Sequence, residues 1–432
     1  MQWISQILFA LCLGTGIWFF TGRVRFIRRN ILLGRDVDLS DNPAARWKQM
    51  LWVAMGQSKM ATRPVAAVFH LFVYLGFVLI NIEVMEILID GILGTHRIFS
   101  FMGNIYNLAI GFFEILALLV IIACVVFLAR RFLVKVPRLN SSDLKGWPLK
   151  DATIILLVEI VLMAALLYMN AADQILQSRG AAHYTAGAGS FPVSQYLVPL
   201  CDVCSTGFLI FAERAAWWFH FIGILLFLNY VPYSKHWHII MSFPNVYYTP
   251  LKPKGAFANM ESVTTEVKLM MDPTAAPPEG YQPPAGFGAR DVQDLSWKNL
   301  MEAYTCTECG RCSSVCPANL TGKKLSPRKI MMDTRDRLDE VGKNIDSATE
   351  DNKDLHSYIS AEELWACTTC NACAEACPIN INPVDIIVQM RQYLVMEKSA
   401  APAELNNMFT NLENNGAPWQ MSQMDKANWT QS

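Results

Sequence analysis

The chain has 432 residues, of which 53% are hydrophobic and 17% charged, and its formal net charge is −1. That length and apolar excess exclude a single small water-soluble domain and leave room for two or three domains. The charge balance speaks neither for nor against an acidic partner, and no nucleic-acid partner is expected.

Apolar runs crowd residues 1–245, whereas Pro, Asn, Asp, Glu and Lys accumulate from about Pro250 onward. Five segments, at about 4–20, 65–88, 105–128, 152–169 and 215–231, are long and apolar enough to cross a bilayer, which takes about 20 residues per helix. A sixth stretch, 191–212, is interrupted by Pro199, Asp202 and Gly207 and predicts an interfacial or re-entrant piece. The first helix lacks a basic start and a small-residue cleavage site, so it is expected to remain as a membrane span. Lys and Arg are dense from Arg23 to Arg63 and again from Arg130 to Lys150. Only Arg97 follows the second helix, and only Arg179 and Arg214 follow the fourth. The positive-inside rule then predicts an outside N-terminus and a cytoplasmic location for everything beyond the fifth helix.

Residues 246–294 read as a Pro-rich linker, with "DPTAAPPEGYQPPAGFGA" (272–289) as an extended tether. A cytoplasmic domain is expected over 295–400, with helices at about 296–303, 327–341, 361–365 and 383–397 and with its cysteines on the intervening loops. A tail, 401–432, is expected to dock a partner. The fold class is therefore all-α: a five-helix transmembrane bundle followed by an α-helical ferredoxin-type domain with two clusters.

The chemistry is concentrated in two blocks, "CTECGRCSSVCP" and "CTTCNACAEACP", each of the form CxxCxxCxxxCP and offset by 61 residues. Eight regularly spaced cysteines in a reducing compartment are not read as disulfides. Zinc is the alternative metal, but it usually takes two CxxC pairs or Cys with His, whereas three cysteines at i, i+3 and i+6 with a remote Cys-Pro hold a [4Fe–4S] cube. In this arrangement the remote cysteine ligates the other cluster. One set is then Cys306, Cys309, Cys312 and Cys377, and the other is Cys367, Cys370, Cys373 and Cys316. Two such cubes suit the passage of single electrons. No GxGxxG, Walker loop, HExxH or GxSxG accompanies them, so no catalytic residue is assigned.

The chain has seven histidines. His70, in "AVFHLFVYLGF", falls near the inner end of the second helix. His220, in "WWFHFIGILLF", falls near the outer end of the fifth, and His238, in "YSKHWHII", follows eighteen residues later. At 1.5 Å per residue that is about 27 Å, close to the thickness of the hydrocarbon core. Two imidazoles from neighbouring helices at one depth are what a b-type haem requires, and His70 with His238 is the preferred pair. Otherwise each is a hydrogen-bonded core or interface histidine, as Lys235 and Trp237 beside His238 permit. A second haem on His220 lacks an obvious partner: Ile80 stands ten residues beyond His70, and His96 in the outer loop is the remaining candidate. Glu83, Glu86, Glu114 and Glu159 fall in predicted helices and either pair with buried donors or carry protons to a quinone. Cys201 and Cys204 are read as a disulfide, a redox pair, or neither, and Cys12 and Cys124 as packing residues.

The fifth helix, with His220, Pro232, Lys235 and His238 in that spacing, resembles the dihaem gamma subunit of respiratory nitrate reductase, and "VFH" ending at His70 resembles its inner-haem ligand. Ile80 departs from that pattern where a second ligand would stand. The segments "LSPRKIMMDTRDRL", "AEELWACTTCNACAEACPININPVDIIVQMRQYLV" and "NNGAPW" resemble the iron–sulfur subunit of heterodisulfide reductases and their bacterial relatives. In fused relatives a domain with CCG cysteine repeats follows. No CCG occurs here, so the reactive subunit is expected on a separate polypeptide.

Together the resemblances imply a multi-pass redox subunit of a bacterial cytoplasmic membrane. It would pass electrons between a cytoplasmic partner, two [4Fe–4S] clusters, haem b and the quinone pool. The implied partner is a CCG-containing heterodisulfide-reductase-like subunit or an electron-transfer flavoprotein. The competing expectation is a membrane-anchored iron–sulfur accessory, assembly or redox-sensing protein without haem, for which the histidines have no use.

Overall fold

The computed structural model describes every residue except 1, 185–186, 254, 258, 273, 279, 282–285, 421 and 432. Among the described residues there are helices and turns but no strand, and an isolated parallel bridge joins Arg35 to Ser296. Five helices are long and apolar enough to cross a membrane. They are α1 (Gln2–Ile31), α2 (Pro64–Leu93), α3 (Asn104–Phe132), α4 (Trp147–Ser178) and α5 (Thr206–Tyr230). Pro64 opens α2 at a position where its missing N–H costs nothing, and Gly94, at φ 70°, closes it with a backbone bond to Asp90.

Helices α2 to α5 form the bundle core around Ile80, Ile110, Leu116, Val120, Leu162 and Leu166. Lipid tails are as apolar as these side chains, so close approach has to come from small residues. Ala117 is fully buried. A Cβ on Gly76 would lie 2.4 Å from Val120, and one on Gly223 would lie 2.6 Å from Leu162. Helix α1 flanks the bundle. Its Phe9 stacks on Phe221 at 4.0 Å and fills the space left by Gly91, while Trp3 and Trp18 face outward.

Several elements differ from their expected extents, among them α4, which runs Trp147–Ser178 against an expected 152–169. Helix α1 continues to Ile31 rather than ending near Phe20, because its arginines are good helix formers beyond the apolar stretch and find partners in the C-terminal domain. Helix α5 begins at Thr206, capped by Ser205, so the interrupted stretch is limited to a turn at Ser194–Tyr196 and a short helix Val198–Cys201 before it. The expectation that His220 and His238 ride one continuous helix fails. Helix α5 ends at Tyr230, Pro232 supplies no N–H, and Ser234, in extended backbone, starts a new turn by accepting from His236 N. His238 opens a separate helix, α6 (His238–Tyr247).

The C-terminal domain contains α7 (Trp297–Thr305), α8 (Pro327–Ser347) and α9 (Pro383–Met396), with a short helix Ala361–Trp365 between the last two. Serine or asparagine side chains cap all four N-termini. Part of the 272–289 tether lies outside the described residues, and the preceding segment holds a helix over Glu261–Met271.

The domain is seated on one end of the bundle. Arg23 pairs with Asp339 at 2.8 Å, and Asn30 donates to Tyr304 Oη at 3.0 Å. A Cβ on Gly342 would lie 2.3 Å from the Asn30 side chain, so that side chain of α1 packs directly on the bare backbone of α8. Asn245 of α6 donates to Ile379 O at 2.8 Å and accepts from Lys298 at 2.7 Å.

Candidate functional site

The two cysteine loops repeat one backbone shape. Glu308 and Gly310 in the first, and Thr369 and Asn371 in the second, have φ between 54° and 69°. These are the second and fourth positions after Cys306 and Cys367, so each loop curls the same way around its own thiols. Gly and Asn take this left-handed backbone readily. Glu308 and Thr369 do so under the constraint of their surroundings.

The thiols gather into two groups that exchange members between the loops. Cys377 lies within charge–charge range of Cys306, Cys309 and Cys312. Cys316 lies within range of Cys367 and Cys373. Cys312 also senses Cys373, so the groups adjoin. Burial pushes the bare Cys306 and Cys373 thiols up to about 12 and Cys377 to about 11, so a metal binding here must displace protons. No three His, Cys, Asp or Glu side chains among the described residues converge as a shell for a single metal ion. A four-iron cube spreads its four thiolates wider than a lone ion does, and the two loosely spaced groups fit that larger body.

The loop of the first group presses on the bundle. Lys59 Nζ donates to Glu375 O and Cys377 O, both at 3.1 Å, and Arg138 Nη1 donates to Cys309 O. Arg311, between Cys309 and Cys312, donates to Lys59 O at 3.1 Å, and Arg63 donates to Ser314 Oγ at 2.8 Å. Gly310 lets the loop come close, since a Cβ there would lie 2.7 Å from Arg138 O. Glu308 is held by Lys235 and by Arg335 at 2.9 Å. Burial by itself would raise the Glu308 carboxyl, but Arg335 and Lys235 outweigh it and hold it below the usual range.

Directly beneath lie the histidines. The rings of His70 and His238 are 6.4 Å apart between centroids, tilted by 42°. His70 Nδ1 bonds Gln57 Oε1 at 3.1 Å, and His238 Nδ1 bonds Lys235 O at 3.0 Å. Both partners are carbonyl oxygens, so Nδ1 carries the proton in each ring and Nε2 presents a lone pair. Arg311 of the first cysteine loop is within charge range of His70. His236 adds a third ring 5.7 Å from His238, with its Nε2 buried and without a hydrogen-bond partner, 4.0 Å from Glu159. Burial pushes His236 down to about 3 and lowers His238, so both rings are neutral.

Of the remaining histidines, His220 stands apart, whereas His96 lies with its ring 5.8 Å from that of His183. His220 Nδ1 bonds Leu162 O at 3.0 Å, and no imidazole ring stacks on it among the described residues. His96 sits elsewhere, its Nε2 on Asp173 at 3.1 Å and its ring 5.0 Å from Tyr184. Two of the four carboxylates have buried donors. Glu86 accepts from Tyr106 Oη at 2.7 Å and Phe99 N at 3.0 Å. Glu114 accepts from Val193 N, Ser194 N and Asn170. Glu83 makes no hydrogen bond among the described residues. Cys204 N donates to Cys201 O at 3.0 Å, and both thiols are unbridged. The sequence reading missed Gln57, Lys59, Arg138, Arg311 and His236. Only His236, lying between two residues already singled out, carried a visible signal.

The model of the 4Fe-4S dicluster domain matches residues 305–381, so the C-terminal part of the chain carries a domain of that kind. The chain is 27% identical over 463 residues to the probable iron-sulfur-binding oxidoreductase FadF of Bacillus subtilis (strain 168), an alignment covering 98% of this chain and 60% of that protein. It is 28% identical over 432 residues to the EtfAB:quinone oxidoreductase of Syntrophomonas wolfei, covering 92% of this chain and 56% of the other. Over 147 residues it is 31% identical to one polypeptide of the dihydromethanophenazine:CoB–CoM heterodisulfide reductase of Methanosarcina mazei, covering 32% of this chain and 35% of that polypeptide. The chain thus spans less than two thirds of the length of these relatives, which are iron–sulfur oxidoreductases. No solved structure matches it.

Proposed function

We propose that this chain is a membrane electron-transfer subunit linking a soluble redox partner to a quinone in the bilayer. In this reading Cys306, Cys309, Cys312 and Cys377 hold one [4Fe–4S] cluster, Cys367, Cys370, Cys373 and Cys316 hold the other, and His70 with His238 hold a b-type haem. The observation that carries it is the 6.4 Å between the two ring centres. Two metal–nitrogen bonds of about 2 Å, plus a little over 1 Å from each ring nitrogen to its ring centre, sum to about 6 Å. The bonds from Nδ1 to Gln57 and Lys235 leave both Nε2 atoms available, the second-shell arrangement that metal-ligating histidines use.

When bound, these groups supply one-electron carriers; the chain's residues hold them, exclude water and fix their order. The bundle-to-domain contacts through Lys59, Arg138 and Lys235 keep the cysteine loop over the histidines. His220 offers a single ligand, and His96, engaged by Asp173, does not complete a second site. A cytoplasmic location for the C-terminal domain is supported by the basic residues at the bundle end it covers, among them Arg23, Arg29, Lys59, Arg63 and Arg138. A flavoprotein of the EtfAB kind as donor and a quinone as acceptor are supported by what the Syntrophomonas relative is named for. The heterodisulfide reductase relative supports a subunit of such a complex as the alternative partner. Residues 1–245 serve as the membrane domain and 295–400 as the dicluster domain.

The test is a reduced-minus-oxidised absorption spectrum of the purified chain, with iron and acid-labile sulfide analysis. A b-type band that disappears in both His70→Ala and His238→Ala is expected. A wild-type spectrum without that band sinks the haem assignment and favours a membrane-anchored iron–sulfur protein.

A further inference from the structure

We propose that electrons arrive at the second cysteine group and leave by the first, and that two cations from the loops at the end of the bundle, Lys59 and Arg138, set this order by holding the first group's reduction potential up. The inference rests on the cluster reading above, and extends it to direction.

The two groups meet different surroundings. Cys370, in the second group, is the one exposed thiol among the eight ligand cysteines. Electron tunnelling falls steeply with distance, so a soluble donor does best where a ligand reaches the surface. The first group faces the bundle instead. The main-chain carbonyls of two of its own ligands, Cys309 and Cys377, are held by Arg138 and Lys59. Its loop residue Arg311 reaches the backbone of Lys59, two residues from the Gln57 that holds His70.

Potential follows from the same asymmetry. A cube on four thiolates is anionic and becomes more so on reduction, so water and nearby cations favour its reduced form, whereas burial opposes it. The second group reaches the surface at Cys370. The first group has no exposed ligand, and without compensation its potential would fall below its neighbour's and stop transfer inward. The compensation is cationic. Lys59, Arg138 and Arg311 surround the first group, and Lys235 with Arg335 neutralises Glu308 inside its loop. Arg138 makes no ion pair with a carboxylate among the described residues, and its Nε is buried without a hydrogen-bond partner. Beside the second group a single guanidinium among the described residues, Arg391, donates to a ligand carbonyl, that of Cys367.

Each step moves one electron, with no bond made or broken and no proton transferred. A soluble flavin or iron–sulfur donor is oxidised as the second group's cluster is reduced. That cluster is reoxidised as the first group's is reduced, and the electron then passes toward His70 and His238.

Redox titration of the full-length chain, followed by electron paramagnetic resonance, reads both clusters whether or not haem is present. Arg138→Gln and Lys59→Gln, acting from two sides, are each expected to lower the same midpoint, the higher of the two, and to leave the other in place. Arg391→Gln is expected to lower the other midpoint, and Arg138→Lys to restore most of the first. The proposal is overturned if Arg138→Gln and Lys59→Gln move the lower midpoint, move both equally, or move neither while iron and sulfide content is retained. A wild type without two four-iron signals overturns the cluster reading itself and this inference with it. Two well-ordered midpoints without a b-type band remove only the haem.

Discussion

The two ends of the bundle both bury histidines and carboxylates, yet they use them differently. At the end under the iron–sulfur domain, His70 and His238 face each other with both Nδ1 atoms occupied and both Nε2 atoms available. At the far end the polar groups satisfy one another. Arg97 donates to Asp173 at 2.6 Å, Asn170 at 2.8 Å and Tyr106 at 3.1 Å, Tyr106 donates to Glu86, and His96 is tied to Asp173. The far end also pairs two rings, His96 and His183 at 5.8 Å, but there His96 Nε2 is held by Asp173, whereas on the proposed reading the Nε2 atoms of His70 and His238 are left for a ligand. A saturated network holds structure; a half-satisfied one is built to receive something.

The largest effect that would break this contrast is the loss of pigment. His70→Ala or His238→Ala is expected to remove the b-type absorbance completely, while His220→Ala leaves it. Loss in all three variants would mean that the far end also ligates. Next comes stability at the far end. Arg97→Ala leaves Asp173 buried without its guanidinium, and breaking a buried pair costs about 3–5 kcal/mol. A fall in the thermal unfolding midpoint with an unchanged spectrum is expected, and a lost spectrum would erase the distinction between the ends.

A smaller effect is expected at the near end from Gln57→Leu, which removes the acceptor for His70 Nδ1. Loss of such outer partners typically weakens binding about 10–100-fold. Pigment titration into the apo-protein measures it, and unchanged affinity would strip Gln57 of its orienting role.

The smallest effect concerns docking at the near end, where Asp143 binds Arg328 and Ser326 of the C-terminal domain. Burial alone would raise the Asp143 carboxyl, but the bonds from Arg328, Ser141 and Ser326 outweigh it and hold it below its ordinary 3.8. The associated stability is complete above that ordinary value and is lost as pH falls through the lower folded value. Asp143→Asn should therefore cost about 1–2 kcal/mol at neutral pH. The gap to wild type in thermal melts should close under strongly acidic conditions. A gap independent of pH would show that the ionised carboxylate contributes nothing.

What the sequence made legible follows the range of the interactions involved. The 4Fe-4S dicluster domain over 305–381 could be read because its cysteines recur at three- and four-residue intervals and the 61-residue repeat is exact in form, and α8 and the helix Ala361–Trp365 begin where Ser326 and Ser360 cap them. Pro232 signals the break after Tyr230, but eighteen residues so nearly match a bilayer's thickness that the sequence fits a straight rod equally well. The cations on the first cysteine loop left no local trace. Arg138 meets Cys309 across 171 positions, and Lys59 meets Cys377 across 318, and neither pairing has a spacing rule. Helix α1 was cut short for a related reason, since its last turns are stabilised by Asp339 and Tyr304 rather than by lipid.

The bridge between Arg35 and Ser296 makes the chain's two halves partners in their own right. Trp297 N donates to Arg35 O, Arg35 N donates to Leu295 O, and Trp297 Nε1 reaches Val37 O, so the strap leaving α1 is laced to the start of the dicluster domain independently of the covalent path through 249–289. Scission of that path by a protease should leave two fragments that comigrate on gel filtration, and the halves expressed as separate polypeptides should reassociate. Fragments that separate instead would show that the covalent connection, and not the seam, holds the halves together.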